Sequence, residues 1–320
     1  MKKVLVLMNL KDELREILES AVSGCEFTYA ADEEVTNEMF REAEIILGAG
    51  GLVPAGLKEC RKLEYIAIRS AGYDQYLAPG TLPEGVVMTN ARGVYSKPVA
   101  EHALALTLSL EKNLQYYRDN QNKAYWHSEG NTSSIADSKV LVIGLGEIGK
   151  YYARLAKALG AYVIGVKRTP GEKPYFVDEL YTQNELTDVI GDADVIFNSM
   201  PGGKETHHLY NAELFAMMKN SALFINCGRG ETVDTDALCD ALESGRIRAA
   251  ACDVFETEPL PADSRAWRIR NLVITPHRAG FLLLPGTDKV LVQLLAENLK
   301  AWMEGTTLKN MVPLERYGER

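Results

Sequence analysis

The sequence predicts an α/β protein, a doubly wound parallel sheet joined to a second and smaller α/β domain. Three observations carry that prediction. From Lys139 onward, short apolar runs alternate regularly with amphipathic stretches, the pattern of parallel strands buried on both faces and separated by helices. The first hundred or so residues repeat the alternation in shorter form. Near Lys97-Pro98 the texture changes to an almost wholly apolar helix. A chain of 320 residues, 46% hydrophobic, is too long for one comfortable core and suits about two domains.

Taken in order, Val4–Met8 reads as the first strand. Its apolar run is ended by Lys11, Asp12 and Glu13, too early for a secretory signal. Asp12–Val22 is an amphipathic helix with Leu14, Ile17, Leu18 and Val22 on one face. Ile45–Leu47, Tyr65–Arg69 and Val86–Thr89 are short strands, set off by Gly50, Gly51, Pro54, Gly56, Gly72, Pro79, Gly80 and Pro83. The apolar helix runs from Val99 to Leu110 and has almost no polar face, so it is expected to be buried on most sides. A subunit interface and an internal core helix both satisfy that pattern. Strands follow at Val140–Ile143, Tyr162–Val166, Val195–Phe197, Ala222–Ile225, Ala249–Val254 and Leu272–Thr275. Between them lie helices at Ile148–Leu159, Asn184–Ile190, Asn211–Met218 and Asp234–Ser244, the last stopped by Gly245. Val290–Met303 is a final helix.

Composition excludes several classes of function. A net charge of −9, with both signs spread along the chain, leaves no basic footprint for nucleic acid. No apolar run reaches membrane-spanning length. Cys25, Cys60, Cys227, Cys239 and Cys252 form no Cys-x-x-Cys pair, so neither a disulfide framework nor a zinc site is expected; reduced thiols fit a cytoplasmic protein. His207 and His208 show no metal-ligand spacing, and no metal is expected.

An acidic protein that binds an anion must do so with local donors. Gly144-Leu-Gly146-Glu147-Ile148-Gly149 follows a predicted strand and opens a predicted helix. In that context the first glycine permits the tight turn, the second lets a pyrophosphate approach, and the third lets the helix pack close. The helix N-terminus supplies N–H groups and its dipole. This is the signature of a Rossmann-type dinucleotide site. The acid expected roughly 20 residues on, for the ribose 2′-hydroxyl, is missing. Lys167-Arg168-Thr169 stand there instead, so NADP is favoured over NAD.

Three segments start at the ends of predicted strands, where open α/β sheets place ligands: Asn226-Cys227-Gly-Arg229-Gly230, Asp253-Val-Phe-Glu-Thr-Glu258-Pro259 and Thr275-Pro-His277-Arg-Ala-Gly280. With Val99-Ala-Glu-His102 and the glycine loop, in this order, the chain resembles the D-isomer-specific 2-hydroxyacid dehydrogenase family, which includes phosphoglycerate and glycerate dehydrogenases and glyoxylate/hydroxypyruvate reductases. The resemblance implies a hydride transfer between NAD(P)H and a small 2-oxo acid or D-2-hydroxy acid. It implies that Arg229 grips the substrate carboxylate, a task its forked donors suit. His277 would act as the acid and base at the carbonyl oxygen. Glu258 would hydrogen-bond to His277 and raise its pKa. Glu256 lies in the same turn, and the family's acid directly before Pro259 selects Glu258. Cofactor contacts are implied for Met200, Pro201, Thr206, Cys227, Asp253 and Gly280. Ser70-Ala71-Gly72-Tyr73-Asp74 resembles the family's substrate loop, with Ala71, Gly72 and Tyr73 as candidates and Asn90 and Ser96 nearby.

The resemblance further implies a flavodoxin-like substrate domain, discontinuous over residues 1–98 and 286–320, around a dinucleotide domain at 99–285. It implies a homodimer through Val99–Leu110; the lack of a long extension after the catalytic region leads us to expect no added effector domain. Two departures stand out. Phe281-Leu-Leu-Leu284 replaces small polar and acidic residues, and could line a pocket or meet a partner subunit. Tyr73 stands where an aliphatic residue is expected. A non-catalytic, dinucleotide-sensing protein on the same fold is the alternative reading, and a formate or phosphite dehydrogenase a weaker one.

Overall fold

The computed structural model describes residues 1–31, 34–50, 55–78, 80–280 and 286–313; the Phe281–Leu284 run falls outside them. The chain divides into two compact units, Met1–Tyr95 with Leu282–Arg320, and Ser96–Phe281.

The first unit is a five-stranded parallel sheet in the order β2-β1-β3-β4-β5. Its strands are β1 (Lys2–Val6), β2 (Cys25–Tyr29), β3 (Ile45–Ala49), β4 (Tyr65–Ile68) and β5 (Val87–Thr89). That order is the flavodoxin-like one. Helix α1 (Asp12–Ser20) lies against the last helix of the chain, Thr287–Glu304. Helix α2 (Asn37–Glu42) is capped by Thr36, whose hydroxyl accepts from the Met39 N–H at 3.3 Å. Sequence patterning misses β2 because it is an edge strand whose residues are half-buried or exposed, with no apolar run to mark it. The returning chain is fixed by the indole of Trp302, stacked on Tyr65 at 5.1 Å between centroids.

The second unit begins with α3 (Ser96–Glu111) and α4 (Leu114–Asn122) and carries seven parallel strands. These are β6 (Lys139–Ile143), β7 (Tyr162–Lys167), β8 (Glu179–Thr182), β9 (Val195–Asn198), β10 (Leu223–Asn226), β11 (Ala249–Cys252) and β12 (Leu272–Ile274). Helices α5 (Glu147–Ala158), α6 (Leu186–Val189), α7 (Ala212–Met217) and α8 (Thr235–Glu243) connect them. The sheet order is β12-β11-β10-β9-β6-β7-β8, which reverses direction between β6 and β9. This is the doubly wound arrangement, and that reversal is where such sheets bind ligands. Asn211 and Asp234 cap α7 and α8, accepting from the Leu214 and Ala237 N–H groups at 3.0 Å each. Missing from the expectation are β8, a half-buried edge strand, and α4, whose residues are too polar to show a period.

Helix α3 is buried along Val99, Ala100, Ala103, Leu106, Thr107 and Leu110, and its Thr107 hydroxyl meets that of Tyr152 on α5 at 2.8 Å. Glu101 and Ala105 stay exposed, with Leu104 and Leu108 half-buried, so the described residues leave one face uncovered.

Strand register brings the functional loops together. Ile143 pairs with Asn198, Asn198 with Asn226, Asn226 with Cys252, and Cys252 with Ile274. Five strands therefore end at one level, and Gly144, Ser199, Cys227, Asp253 and Thr275 each begin a loop along the same edge.

Candidate active site

At the edge of β6 the three glycines differ in what a side chain would meet. Gly144 has φ of +94°, and a Cβ there would lie 3.0 Å from the Met200 nitrogen. A Cβ on Gly149 would strike the Gly144 carbonyl oxygen at 2.1 Å, so α5 packs here only on a glycine. A Cβ on Gly146 would meet no atom within 4 Å. No described neighbour demands that glycine, and its bare backbone leaves room for an anion to approach. Gly146 is the N-cap of α5, with Glu147 exposed and Ile148 half-buried in its first turn. Glu147 pairs with Lys150 at 3.3 Å. These residues fit a dinucleotide pyrophosphate.

Lys167 closes β7, half-buried, with Arg168 and Thr169 exposed beyond it. The Lys167 ammonium lies over Gly171, where a Cβ would come within 2.5 Å of it. The strand end that usually carries an acid thus presents two cations and a hydroxyl. Met200 is buried, Pro201 is exposed, and Thr206 closes their loop by donating to the Pro201 carbonyl at 2.9 Å. Cys227 is buried beside Asp253. Burial first, then the charge of Asp253, hold its thiol well above the ordinary range.

Asp253 is buried and organises the next loop. Its Oδ1 accepts from the Thr275 hydroxyl at 2.5 Å and from the Arg278 N–H at 2.9 Å, and its Oδ2 accepts from the Ala279 N–H at 3.0 Å. Its own carbonyl accepts from the His277 N–H at 2.8 Å. These bonds hold His277 at φ of +51°, a left-handed backbone that side chains other than glycine's rarely adopt. Gly280 follows, half-exposed. His102, on α3, joins the same group: its Nε2 lies 3.1 Å from the Thr275 hydroxyl.

His277 and Glu258 meet at 2.6 Å, Nδ1 to Oε2. The other carboxylate oxygen of Glu258 accepts from the Phe255 N–H at 2.9 Å, which fixes the acid. The hydrogen bond that His277 donates to Glu258 raises the His277 pKa; burial opposes it, and the charges of Glu258 and Asp253 add to it. Burial would raise the Glu258 pKa, but the His277 and Phe255 hydrogen bonds and the charges of His277 and Arg229 outweigh it and lower it. Glu256, the rival acid, points elsewhere. It holds His208 at 2.5 Å and accepts from the Thr235 N–H at 2.8 Å, at the start of α8.

Arg229 is half-buried between two required glycines. A Cβ on Gly228 would sit 2.7 Å from the Met200 carbonyl oxygen, and one on Gly230 only 1.9 Å from the Phe255 carbonyl. The arginine loop is therefore wedged between the Met200 loop and the Phe255–Glu258 turn. In the first unit, Ala71, Gly72 and Tyr73 are half-buried after β4. The Ser70 hydroxyl donates to the Gly72 carbonyl at 2.6 Å, and the Asn90 amide to the Ala71 carbonyl at 2.8 Å. Asn90 thus serves the loop, and Ser96 is buried.

Sequence reasoning missed the polar side chains beneath Arg229: Asn198, Asn226 and Thr232, all fully buried. The signal was an asparagine ending each of two strands that otherwise read as apolar. Among the described residues no cluster could hold a metal ion, and no helix is long and apolar enough to cross a membrane.

Comparison with known proteins identifies relatives of this chain. The model of the D-isomer specific 2-hydroxyacid dehydrogenase, NAD binding domain, matches residues 104–279. The chain is 31% identical to a glyoxylate/hydroxypyruvate reductase B of Erwinia tasmaniensis, over 97% of this chain and 98% of that one. A D-isomer specific 2-hydroxyacid dehydrogenase family protein from Aeromonas salmonicida superposes with a TM-score of 0.87 at 28% identity, covering 98% of this chain and 99% of that one. A second, from Xanthobacter autotrophicus and solved with NADPH and MES, gives 0.81 at 26% identity over 99% of each chain.

Proposed function

The chain belongs to the D-isomer specific 2-hydroxyacid dehydrogenase family, and on that premise we propose how its site works and what it takes. The enzyme transfers a hydride between NAD(P)H and a 2-oxo acid or its D-2-hydroxy acid. The bound nicotinamide supplies that hydride; the protein supplies position, charge and a proton. Arg229 binds the substrate carboxylate through its guanidinium fork. His277, with Nδ1 held by Glu258, presents Nε2 to the substrate oxygen. It gives up a proton as the carbonyl is reduced and recovers it in the reverse direction. The Glu258 carboxylate favours the charged ring and fixes its orientation. The observation carrying this reading is the 2.6 Å His277–Glu258 pair, with the Arg229 charge felt by both members.

NADP is the preferred cofactor, because Lys167, Arg168 and Thr169 can pair with a 2′-phosphate that an acid would repel. Gly144, Gly146, Glu147, Ile148 and Gly149 form the pyrophosphate turn. Met200, Pro201, Thr206, Cys227, Asp253 and Gly280 line the rest of the cofactor's course. One Asp253 Oδ2 lone pair beyond the Ala279 bond suits an amide donor. We read the discontinuous unit as the substrate domain, with Ala71, Gly72 and Tyr73 as its candidate substrate residues. Glyoxylate and hydroxypyruvate are the substrates of first choice, by analogy with the Erwinia relative's name.

The uncovered face of α3 supports a homodimer, joined by exposed Leu114, Tyr125 and Trp126 just beyond it. The free cysteines and the net charge of −9 support a cytoplasmic protein without nucleic-acid partners. Steady-state oxidation of NADPH and NADH with glyoxylate and hydroxypyruvate tests the reading. Turnover with a higher kcat/KM for NADPH is expected. Tight NADPH binding without turnover of any 2-oxo acid would overturn it.

A further inference from the structure

We propose that Asn198, Asn226 and Thr232 are positioning residues that set the backbone of Arg229 and lock it to the cofactor-side loop. The inference rests on the reading that Arg229 holds the substrate carboxylate. All three side chains are buried, with exposures of 1% or less. Buried polar groups of this kind cost free energy unless every hydrogen bond is made, and here almost every one is.

The network has one consistent assignment. The Met200 N–H can only donate, so the Asn198 atom facing it at 3.1 Å is Oδ1. Nδ2 then points the other way and spends its two hydrogens on Asn226 Oδ1 at 3.0 Å and Thr232 Oγ1 at 2.8 Å. Asn226 Oδ1 also accepts from the Gly228 N–H at 3.0 Å. With a lone pair taken up by Asn198, the Thr232 hydroxyl gives its hydrogen to the Arg229 carbonyl at 2.7 Å. The Asn226 amide reaches the same carbonyl at 3.4 Å, and the Asn198 carbonyl accepts from the Cys227 N–H at 3.1 Å.

Asn198 thus bonds both to the Met200 loop and to the side chains that hold the Arg229 loop. No bond in this set points at the proposed substrate. What the network fixes is the carbonyl of the very residue whose side chain must meet a carboxylate. A guanidinium fork binds well only when its base does not wander, and a small misplacement there is costly. The network also explains why Gly228 tolerates no side chain: a Cβ would press on the Met200 backbone and come within 3.3 Å of Asn198 Nδ2.

The test compares Thr232→Val, which keeps the shape and removes the hydroxyl, with Thr232→Ser, which keeps the hydroxyl. Asn198→Asp is the second probe, since a carboxylate cannot donate to Asn226 and Thr232. Each is assayed for glyoxylate kinetics, for NADPH affinity, and for binding of oxamate, a carboxylate that mimics a 2-oxo acid, to the NADPH-bound protein. For Thr232→Val we expect roughly tenfold weaker oxamate binding and a similarly raised KM, with NADPH affinity within about twofold of wild type. Thr232→Ser should stay within about twofold throughout. If Asn198→Asp fails to fold, the Thr232 pair decides alone. Wild-type oxamate binding in Thr232→Val, or equal losses in Val and Ser, overturns the inference. Wild-type protein that binds neither oxamate nor glyoxylate overturns the parent reading instead.

Discussion

Two histidine–glutamate pairs hang from one turn, their acids two residues apart, and only one pair has the surroundings of a catalytic acid. His208 meets Glu256 at 2.5 Å, and His277 meets Glu258 at 2.6 Å. Contact geometry barely distinguishes them. Glu256 spends its second oxygen on the Thr235 N–H and so caps α8. Glu258 spends its second oxygen on the Phe255 N–H within its own turn, and lies in the field of Arg229. Both histidines stand on left-handed backbone, at φ of +48° for His208 and +51° for His277, but that of His277 is followed by a loop pinned by buried Asp253. A short acid–histidine contact is therefore a poor marker of chemistry. What marks it is an arginine in electrostatic reach and a buried acid, Asp253, that pins the loop carrying the ring.

The largest effect that would sharpen this contrast comes from removing the two rings in turn. His277→Ala should lower kcat for glyoxylate reduction by roughly 10²–10⁴-fold, while His208→Ala stays near wild type. Comparable losses in both would break the distinction. Lys167→Asp comes next: it should lower kcat/KM for NADPH by roughly tenfold, the loss of one charge-assisted hydrogen bond, and favour NADH. An unchanged NADPH/NADH ratio would show that the cations do not read the cofactor.

The two acids can be separated by pH. Reduction needs the charged His277 ring, whose pKa the Glu258 hydrogen bond raises. Glu258→Gln should therefore move the high-pH fall of glyoxylate kcat/KM to lower pH, and Glu256→Gln should leave it in place. The glycines offer a parallel contrast. Gly149→Ala meets the Gly144 carbonyl and should cost about 1–3 kcal/mol of stability by urea unfolding. Gly146→Ala meets no described atom and should leave stability within about 0.5 kcal/mol while weakening NADPH binding.

The smallest effect is on stability itself. The His277 pKa is raised on folding, so its contribution is complete below its ordinary value of 6.5 and lost as pH rises through the folded value. That of Glu258 is lowered, so its contribution is complete above 4.5 and lost as pH falls through the folded value. Both groups reach solvent, with side chains 56% and 34% exposed, so solvent screening keeps the change small. Thermal unfolding across that range should show a shallow rise and fall that Glu258→Gln removes.

Much of this was legible in the sequence, and the parts that were not share a cause. The buried strands of both sheets and the Gly144–Gly149 turn announce themselves, because burial on two faces demands apolar runs and a phosphate turn demands glycines. Edge strands β2 and β8 leave no such run. Glu258 was separable from Glu256 only through the family resemblance, since both lie in one turn. The Asn198–Asn226–Thr232 network lies across three segments separated in sequence, and hydrogen bonding between strand ends has no local period to read. Asp253 was read as a cofactor contact; its bonds to Thr275, Arg278 and Ala279 show a second duty that only the folded turn reveals.

A structure of the protein with NADPH and oxamate tests the convergence of Arg229 and His277 most directly. The account predicts the oxamate carboxylate in the Arg229 fork, with its carbonyl oxygen roughly 2.6–3.2 Å from His277 Nε2. Oxamate bound away from Arg229, or facing His208 instead, would contradict it.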